Sequence, residues 1–404
     1  MKCRALLILI GGRQVPNVLT AQYLTPDLIV PIASREAMMP GKEWEKVAPI
    51  LRQLCPQGLA EPIVVDGFKL SETYEACLSL LKQHAEAEWV FNVTCATKVM
   101  SIAAYEAAIG VEKYAGGQPA GISVWYLDGF TRRVVTLAGK EPPDDLYRLS
   151  VSDYIAAYGR VARPRWAAPP PPAHIDFARA LAKAPRAAMD LKRQFVNQSF
   201  KAGHTHTLSF VARPQMRELL DAALANGFIA SMQVGSIATV PNRRGKFWNF
   251  TIEINGDLPG RFINGDWLEV YTWWAATEAR CFDDFCCSVE IPAGGANNEL
   301  DLAATRAANL LIAECKTEQD PFDVQHIYKL DAIASLVGGL FVGRLFITCQ
   351  SVPANPNWKK SYDSFSEQAR ARQIVLVTGE QLQDLPEILR RESGASGQPT
   401  YSHI

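Results

Sequence analysis

The chain has 404 residues, enough for about two to three domains, and 48% of them are hydrophobic, enough to fill real cores. A formal net charge of −1 excludes a global basic field, so any contact with nucleic acid must come from local patches. No apolar run reaches the length of a membrane span, and nine scattered cysteines without a CxxC pair indicate reduced thiols in a cytoplasmic protein with no membrane partner.

The first 145 residues alternate short apolar strands with helices. Strands are predicted at 5–10, 28–32, 62–66, 89–93, 121–127 and 133–137. Helices fall between the first five of these strands, so the strands should run mostly parallel and be joined by right-handed crossovers. The sequence therefore predicts an α/β protein that begins with a Rossmann-like domain.

Three loops of this domain carry side chains suited to an anionic ligand. They lie at 11–17, 33–35 and 92–98, after the first, second and fourth strands, where open α/β sheets bind their ligands. Glycines admit a close backbone approach, and a threonine at the start of the helix after 92–98 can cap it. The candidate ligand contacts are Gly12, Arg13, Gln14, Asn17, Ser34, Arg35, Thr94, Cys95, Ala96, Thr97 and Lys98.

A proline-rich segment at 163–173 marks the clearest domain boundary, because four consecutive prolines cannot continue a helix and favour an extended spacer. The predicted division is a first domain at 1–145, a linker at 146–175, a connecting segment at 176–247, a second α/β domain at 248–393 and a flexible tail at 394–404. The connecting segment is either a small winged element or an extension of the second domain, and its sequence fits both.

A β-hairpin is predicted from two apolar runs, 300–304 and 310–313, that flank a short break. If the hairpin is symmetric, Asp301 lies directly opposite Glu314, and the period of two adds Lys316 to the same face. Two carboxylates and an ammonium are costly to bury unless something binds them, which favours a divalent cation held by the carboxylates. A solvated, salt-bridged hairpin is the alternative interpretation.

A helix before the hairpin can supply a further acid. Asp266 is a fair N-cap, and Trp267, Tyr271 and Trp274 follow at helical spacing. On that helix Glu269 would project toward the hairpin.

This set of residues resembles the PD-(D/E)xK nuclease family, with Asp301 as the metal acid, the Glu-Cys-Lys triplet at 314–316 and the helical Glu269 upstream. The resemblance implies phosphodiester hydrolysis assisted by Mn²⁺ or Mg²⁺. The implied catalytic residues are Glu269, Asp301, Glu314 and Lys316, and the implied metal ligands are Asp301, Glu314 and the carbonyl of Cys315.

The loop at 92–98 resembles the NxTGGTK signature of CARF domains, which sense cyclic oligoadenylates in type III CRISPR systems. Asn92, Thr94, Thr97 and Lys98 match it, whereas Cys95-Ala96 replaces the two glycines. A CARF-like domain, a linker and a PD-(D/E)xK core resemble the accessory nucleases with one CARF domain per subunit. That resemblance implies a homodimer, activated by a cyclic oligoadenylate such as cyclic tetra-adenylate, that nicks single-stranded RNA or DNA in antiviral defence.

Two functions of other classes compete with this interpretation. A non-cleaving regulator would sense a nucleotide through the CARF-like domain and bind DNA through residues 200–250, without need of a metal. A metabolic Rossmann enzyme is disfavoured because no GxGxxG motif follows the first strand.

Overall fold

Three sheets organise the part of the chain that the structure describes. The computed structural model describes residues 3–114, 121–128, 133–142, 148–166, 168–196, 198–238, 245–293, 296–306, 308–339 and 342–394. Among these, no helix is both long and apolar enough to cross a membrane.

The N-terminal sheet has six strands in the order β3-β2-β1-β4-β5-β6, all parallel except β6, which runs antiparallel to β5. Its elements are β1 (Arg4–Ile10), α1 (Val15–Leu24), β2 (Leu28–Ser34), α2 (Glu43–Leu54), β3 (Ile63–Val65), α3 (Leu70–Gln83), β4 (Glu88–Asn92), α4 (Lys98–Tyr114), β5 (Ile122–Asp128) and β6 (Arg133–Ala138). The central strands are buried on both faces, which explains their continuous apolar sequence. The predicted Rossmann-like domain is confirmed, with every strand close to its expected position.

A second, smaller sheet lies in the connecting segment. Its three antiparallel strands have the order β8-β10-β9. The segment comprises α6 (Pro172–Lys183), α7 (Pro185–Phe195), β8 (Thr205–Ala212), α8 (Met216–Ala225), β9 (Ser231–Ala238) and β10 (Phe247–Asn255). The predicted boundary after residue 247 falls inside β10, and this strand pairs with β8 and β9 of the connecting segment. The polar sequence between β9 and β10 made the second strand look like the start of the next domain.

The C-terminal sheet has the order β15-β14-β13-β12-β11-β7, antiparallel from β7 to β13 and parallel from β13 to β15. Its elements are β7 (Arg163–Pro164), α9 (Leu258–Arg261), α10 (Trp267–Ala279), β11 (Asp284–Ala293), β12 (Ala296–Arg306), β13 (Asn309–Lys316), α11 (Val324–Leu336), β14 (Val342–Thr348), α12 (Pro356–Ala371), β15 (Ile374–Val377) and α13 (Leu385–Glu392). The predicted flexible tail lies almost wholly outside the described residues.

The proline-rich segment is more than a spacer. Arg163 and Pro164 form the edge strand β7, paired with Val289 and Glu290 of β11, and Pro172 begins α6. Proline is tolerated at a sheet edge and in the first turn of a helix, because its missing N–H is not needed at either place. The segment is therefore tied to the C-terminal sheet at one end and to a helix at the other.

The domains are packed against each other through shared apolar cores. Leu6 and Ile8 of β1 lie in the same core as Leu300 and Ile312 of the C-terminal sheet, with α5 (Val151–Ala156) between them. The helices of the connecting segment pack likewise into the core of the C-terminal domain. The connecting segment thus has its own sheet, as a winged element would, and also extends the C-terminal domain.

Candidate active site and ligand loops

The hairpin of β12 and β13 has the register that the sequence predicts. Leu302 pairs with Ala313 and Arg306 pairs with Asn309, and one further step along the same register sets Asp301 opposite Glu314. Asp301 also accepts a hydrogen bond of 2.5 Å at Oδ2 from the backbone N–H of Cys315. The two carboxylates therefore meet on one face at the open end of the hairpin.

Glu314 is 2% exposed and forms ion pairs with two lysines. Its Oε1 lies 2.6 Å from Nζ of Lys316 and 3.1 Å from Nζ of Lys329, a residue of α11. Burial lowers the pKa of Lys316, but the neighbouring Glu314 more than offsets this and leaves the pKa above its usual value. Such a buried carboxylate requires positive charge close by.

The carboxyl groups of Glu269 and Asp301 both have raised pKa values. Burial, and then the charge of Asp301, raise the pKa of Glu269 to about 8. Burial, and then the charge of Glu314, raise the pKa of Asp301 to about 7, against the hydrogen bond from Cys315. The charge of Asp301 thus acts on Glu269 and the charge of Glu314 acts on Asp301, so the three acids lie close together and a cation among them would relieve the repulsion.

The helix that carries Glu269 begins differently from the prediction. Asp266 makes no capping hydrogen bond through its side chain, and its backbone is already helical. The residues Phe262–Asp266 form a π-helical turn that joins α9 to α10. The interpretation of Asp266 as an N-cap is therefore wrong, because the chain enters α10 from a helix and leaves no free amides there to cap.

A network that the sequence did not reveal supports the end of β13. Lys192 of α7 donates hydrogen bonds of 2.8 Å to the carbonyl of Thr317 and 2.9 Å to its Oγ1. Thr317 Oγ1 in turn donates to the carbonyl of Asn264 in the π turn, at 2.9 Å. The residue after Lys316 is thereby linked to the turn that precedes Glu269. No sequence signal joins two residues 125 positions apart.

Arg165, in the proline-rich segment, forms a second unpredicted contact near the acids. Its guanidinium lies 3.1 Å from Glu299 and 3.5 Å from Glu290, and Ser288 donates to Glu299 at 2.6 Å. Glu299 is one of the charges that raise the pKa of Glu269. Arg165 therefore compensates a carboxylate at the border of the acidic cluster.

The donor set fits a hard divalent cation. Asp301 and Glu314 present carboxylate oxygens, and Cys315 adds a carbonyl, whereas burial keeps the pKa of the Cys315 thiol well above its usual range. No cluster of three or more His, Cys, Asp and Glu side chains among the described residues is arranged to hold a metal. A cation here would rest on few protein oxygens and keep water on its other positions, as Mg²⁺ commonly does.

The first ligand loop is packed into the N-terminal domain. Gln14 and Asn17 are buried, and Asn17 donates to the carbonyl of Leu9 at 2.9 Å and to Gln14 at 3.0 Å. Asn92 donates to Asn17 at 3.0 Å and accepts from Thr94 at 2.6 Å. These side chains hold the two loops to one another, and they are engaged within the domain.

The loop after β1 and the loop after β4 approach each other most closely at Gly11. A Cβ at Gly11 would lie 2.3 Å from the carbonyl oxygen of Cys95, whereas one at Gly12 would meet nothing within 4 Å. Cys95 is buried, and burial raises the pKa of its thiol to about 12. Any contact of Cys95 with a ligand would therefore involve its backbone, whereas Ala96 is only partly buried.

The rim of the loops carries the exposed charges. Arg35 forms ion pairs with Asp66 at 3.5 Å and Glu72 at 3.4 Å, and Ser34 caps the turn by accepting from the N–H of Ala37. Thr97 caps α4 by accepting from the N–H of Met100 at 3.2 Å, as expected, and Lys98 is exposed beside it.

The side chain of Arg13, which the sequence predicts as a ligand contact, instead binds the C-terminal domain. Its guanidinium donates to the carbonyl of Ala308 and, at 3.2 Å, to the side chain of Asn309. Both partners belong to the tip of the hairpin that bears Asp301 and Glu314. The first ligand loop therefore touches the C-terminal domain directly.

The fold and the site together define the class of the protein, in which a Rossmann-like domain is combined with a second α/β domain that carries an acidic hairpin. Residues 257–395, about a third of the chain, match the family model described as the Card1-like endonuclease domain, so the C-terminal domain is similar to that family. The match begins just after β10, where the structure also ends the connecting segment. No curated protein matches the chain.

Solved structures share the architecture along nearly the whole chain. Can2 from Sulfobacillus thermosulfidooxidans, solved with cyclic tetra-adenylate, is 19% identical with a TM-score of 0.64 and coverage of 96% of this chain and 95% of that one. Protein VC1899 from Vibrio cholerae is 16% identical with a TM-score of 0.68 and coverage of 97% and 98%. A type III CRISPR defence DNA nuclease activated by cyclic oligoadenylate is 17% identical with a TM-score of 0.51, covering 88% of this chain and 48% of the other. At these identities the likeness shows the fold.

Proposed function

We propose that the protein is a metal-dependent endonuclease, activated by a cyclic oligoadenylate such as cyclic tetra-adenylate, that nicks single-stranded RNA or DNA in type III CRISPR defence. The observation that carries the proposal is the convergence of Asp301, Glu314 and Lys316 at the open end of one hairpin, with Glu269 beside them. The match of residues 257–395 to an endonuclease domain family supports cleavage as the activity.

The residues would divide the chemistry among themselves. Asp301 and Glu314, with the Cys315 carbonyl, would hold Mn²⁺ or Mg²⁺, and Glu269 would supply a further carboxylate. The bound metal would supply a Lewis acid for the phosphoryl oxygens and lower the pKa of water. Lys316, already at 2.6 Å from Glu314, would orient the attacking water and offset charge that develops in the transition state.

The loops at the carboxyl edge of the N-terminal sheet are the proposed ring site. The sheet order puts the switch point between β1 and β4, whose loops are in contact at Gly11 and Cys95. Gly12, Arg35 and Lys98 lie toward the exposed rim. The complex of Can2 with cyclic tetra-adenylate supports the choice of ligand, given a shared architecture along the chain.

A homodimer would complete this ring site. Phe68, Leu70 and Ile102 expose apolar side chains around the loops, and Phe68 is 74% exposed. A two-fold ring on an isologous interface would let both copies contribute the same loops. Light scattering measures the mass in solution, and a monomer both with and without the ring would contradict this part of the proposal.

The regulator hypothesis has less support. The order β8-β10-β9 resembles a winged element, but α8 exposes Glu218 and Asp221 together with Arg217, a mixed surface that does not favour DNA. A binding protein also has no need of the buried carboxylates on the hairpin.

The test is cleavage of labelled single-stranded RNA and DNA with Mn²⁺, with and without cyclic tetra-adenylate. We expect cleavage only with the ring, none in EDTA and none with Glu314→Gln, an isosteric change. Metal-independent binding of one specific duplex without any cleavage would support the regulator instead.

A further inference from the structure

Two ammonium groups converge on the carboxylate of Glu314. Lys316 approaches from the same strand, and its Nζ lies 2.6 Å from Oε1. Lys329 approaches from α11, and its Nζ lies 3.1 Å from Oε1 and 3.4 Å from Oε2. The side chain of Lys329 is 42% exposed and that of Lys316 is 26% exposed, so Lys329 forms the outer member of the pair.

This arrangement conflicts with a metal on the same carboxylate. A divalent cation held by Glu314 would share a carboxylate whose oxygens lie 2.6 to 3.4 Å from the two ammonium groups, so the cation and the ammonium groups would be close neighbours. Like charges at such a separation repel strongly, so at least one ammonium must move when the metal binds. Lys329 is free to do so, because it is the more exposed and its four-carbon stem is flexible, whereas Lys316 is part of the strand that carries Glu314.

Besides Glu314, two acids of the described residues, Asp301 and Glu299, are close enough to interact with the charge of Lys329, and both are engaged by other groups. Asp301 would be engaged by the same metal, and Glu299 already pairs with Arg165 and accepts from Ser288. The next anion to reach the mouth of this site would be a phosphate of the nucleic-acid strand.

We propose that Lys329 neutralises Glu314 in the metal-free site and, when a divalent metal displaces it, binds a phosphate of the substrate strand. The inference rests on the proposed metal-dependent endonuclease and adds a substrate contact to it. Lys329 thereby keeps the empty site stable and makes strand binding depend on the metal.

The first experiment measures Mn²⁺ binding to the metal-free full-length protein by calorimetry, without nucleic acid. We expect Lys329→Gln to bind Mn²⁺ on the order of ten-fold more tightly, because no ammonium competes for Glu314. Lys329→Arg keeps the charge and should bind Mn²⁺ like the wild type, as should Lys360→Gln, which removes an exposed lysine from the adjacent α12.

The second experiment measures the affinity for a single-stranded oligonucleotide, with the ring present, in Ca²⁺ and in EDTA. A denaturing gel verifies that the strand stays intact. We expect Lys329→Gln to weaken binding in Ca²⁺ and to reduce the slope against salt by about one, while binding in EDTA is unchanged. Lys329→Arg should retain the binding.

The outcomes distinguish a failure of the role proposed for Lys329 from a failure of the proposed endonuclease function. A wild-type protein that binds no Mn²⁺ would overturn both. A wild-type protein that binds Mn²⁺, with Lys329→Gln binding it equally or more weakly, would overturn the role of Lys329 alone. Equal loss of strand affinity in Ca²⁺ and EDTA would also overturn it, because Lys329 would then bind phosphate regardless of the metal.

Discussion

The guanidinium of Arg13 lies 3.2 Å from Oδ1 of Asn309 and also donates to the carbonyl of Ala308. Arg13 follows β1 in the N-terminal domain, and Asn309 begins β13, the strand that ends in Glu314 and Lys316. A loop of the proposed ring site is therefore bonded to the proposed catalytic hairpin. A shift of that loop would therefore act directly on the tip of the hairpin.

Replacing Arg13 tests whether this contact transmits activation. We expect Arg13→Ala to reduce the stimulation of cleavage by cyclic tetra-adenylate while the ring still binds, because the guanidinium points to the hairpin. The lost hydrogen bonds should also lower the free energy of unfolding by roughly 1–3 kcal/mol. Ring binding by calorimetry and stimulated cleavage are measured on the same samples. If ring affinity falls as much as cleavage, Arg13 is a ligand contact and transmits nothing.

Neutralising Asp301 should stabilise the metal-free protein. Burial and Glu314 raise the pKa of Asp301 to about 7, so the folded state holds a proton that the unfolded state has already lost. Its contribution to stability therefore falls as the pH rises from about 4 to about 7. In EDTA at pH 8, we expect Asp301→Asn to raise the free energy of unfolding by roughly 1–3 kcal/mol, with little gain at pH 4.

Thermal unfolding at both pH values, with exposed Asp320→Asn as the control, measures this effect. Added Mn²⁺ should stabilise the wild type and leave Asp301→Asn nearly unchanged. An Asp301→Asn protein that is less stable than the wild type at pH 8 in EDTA would show that the acids do not repel each other.

Lys192 should act as a positioning residue, since it touches Thr317 and not the acids. We expect Lys192→Met to lower kcat about ten-fold with KM nearly unchanged, because the strand end behind Lys316 loses its anchor. Lys192→Arg should recover part of the loss, and Lys183→Met, at an exposed position of α6, should have no effect. A rise in KM alone would instead indicate that Lys192 binds the strand.

Gly11 and Gly12 form a matched pair for the contact between the ligand loops. A Cβ at Gly11 would collide with the carbonyl of Cys95, whereas Gly12 has open space. Gly11→Ala should therefore lower the free energy of unfolding by about 1–3 kcal/mol, and Gly12→Ala should leave it nearly unchanged. Denaturant titration measures both, and equal effects would refute the close approach of the two loops.

The sequence was informative where period and register decide the structure. The apolar runs around Asp301 and Glu314 fixed the hairpin register, because a slip of one residue would turn the buried face outward. The alternation of strands and helices likewise predicted the N-terminal sheet.

The sequence was silent where contacts span long separations. Lys192 and Arg165 reach the site from segments far from it along the chain, and neither has a local pattern that indicates its partner. The prediction of Asp266 as an N-cap was wrong because a π turn and a capped helix start can have the same residue types. The polar sequence before β10 similarly concealed that one sheet continues through residue 255.

The central claim is that ring binding and cleavage occupy two coupled sites. The most direct measurement compares ring affinity and ring-stimulated cleavage in the wild type and in Asp301→Asn, on the same preparations with Mn²⁺. The account predicts that Asp301→Asn loses cleavage by at least about 10³-fold and retains the ring affinity of the wild type. Parallel loss of both properties, or cleavage that persists without Asp301, would contradict it.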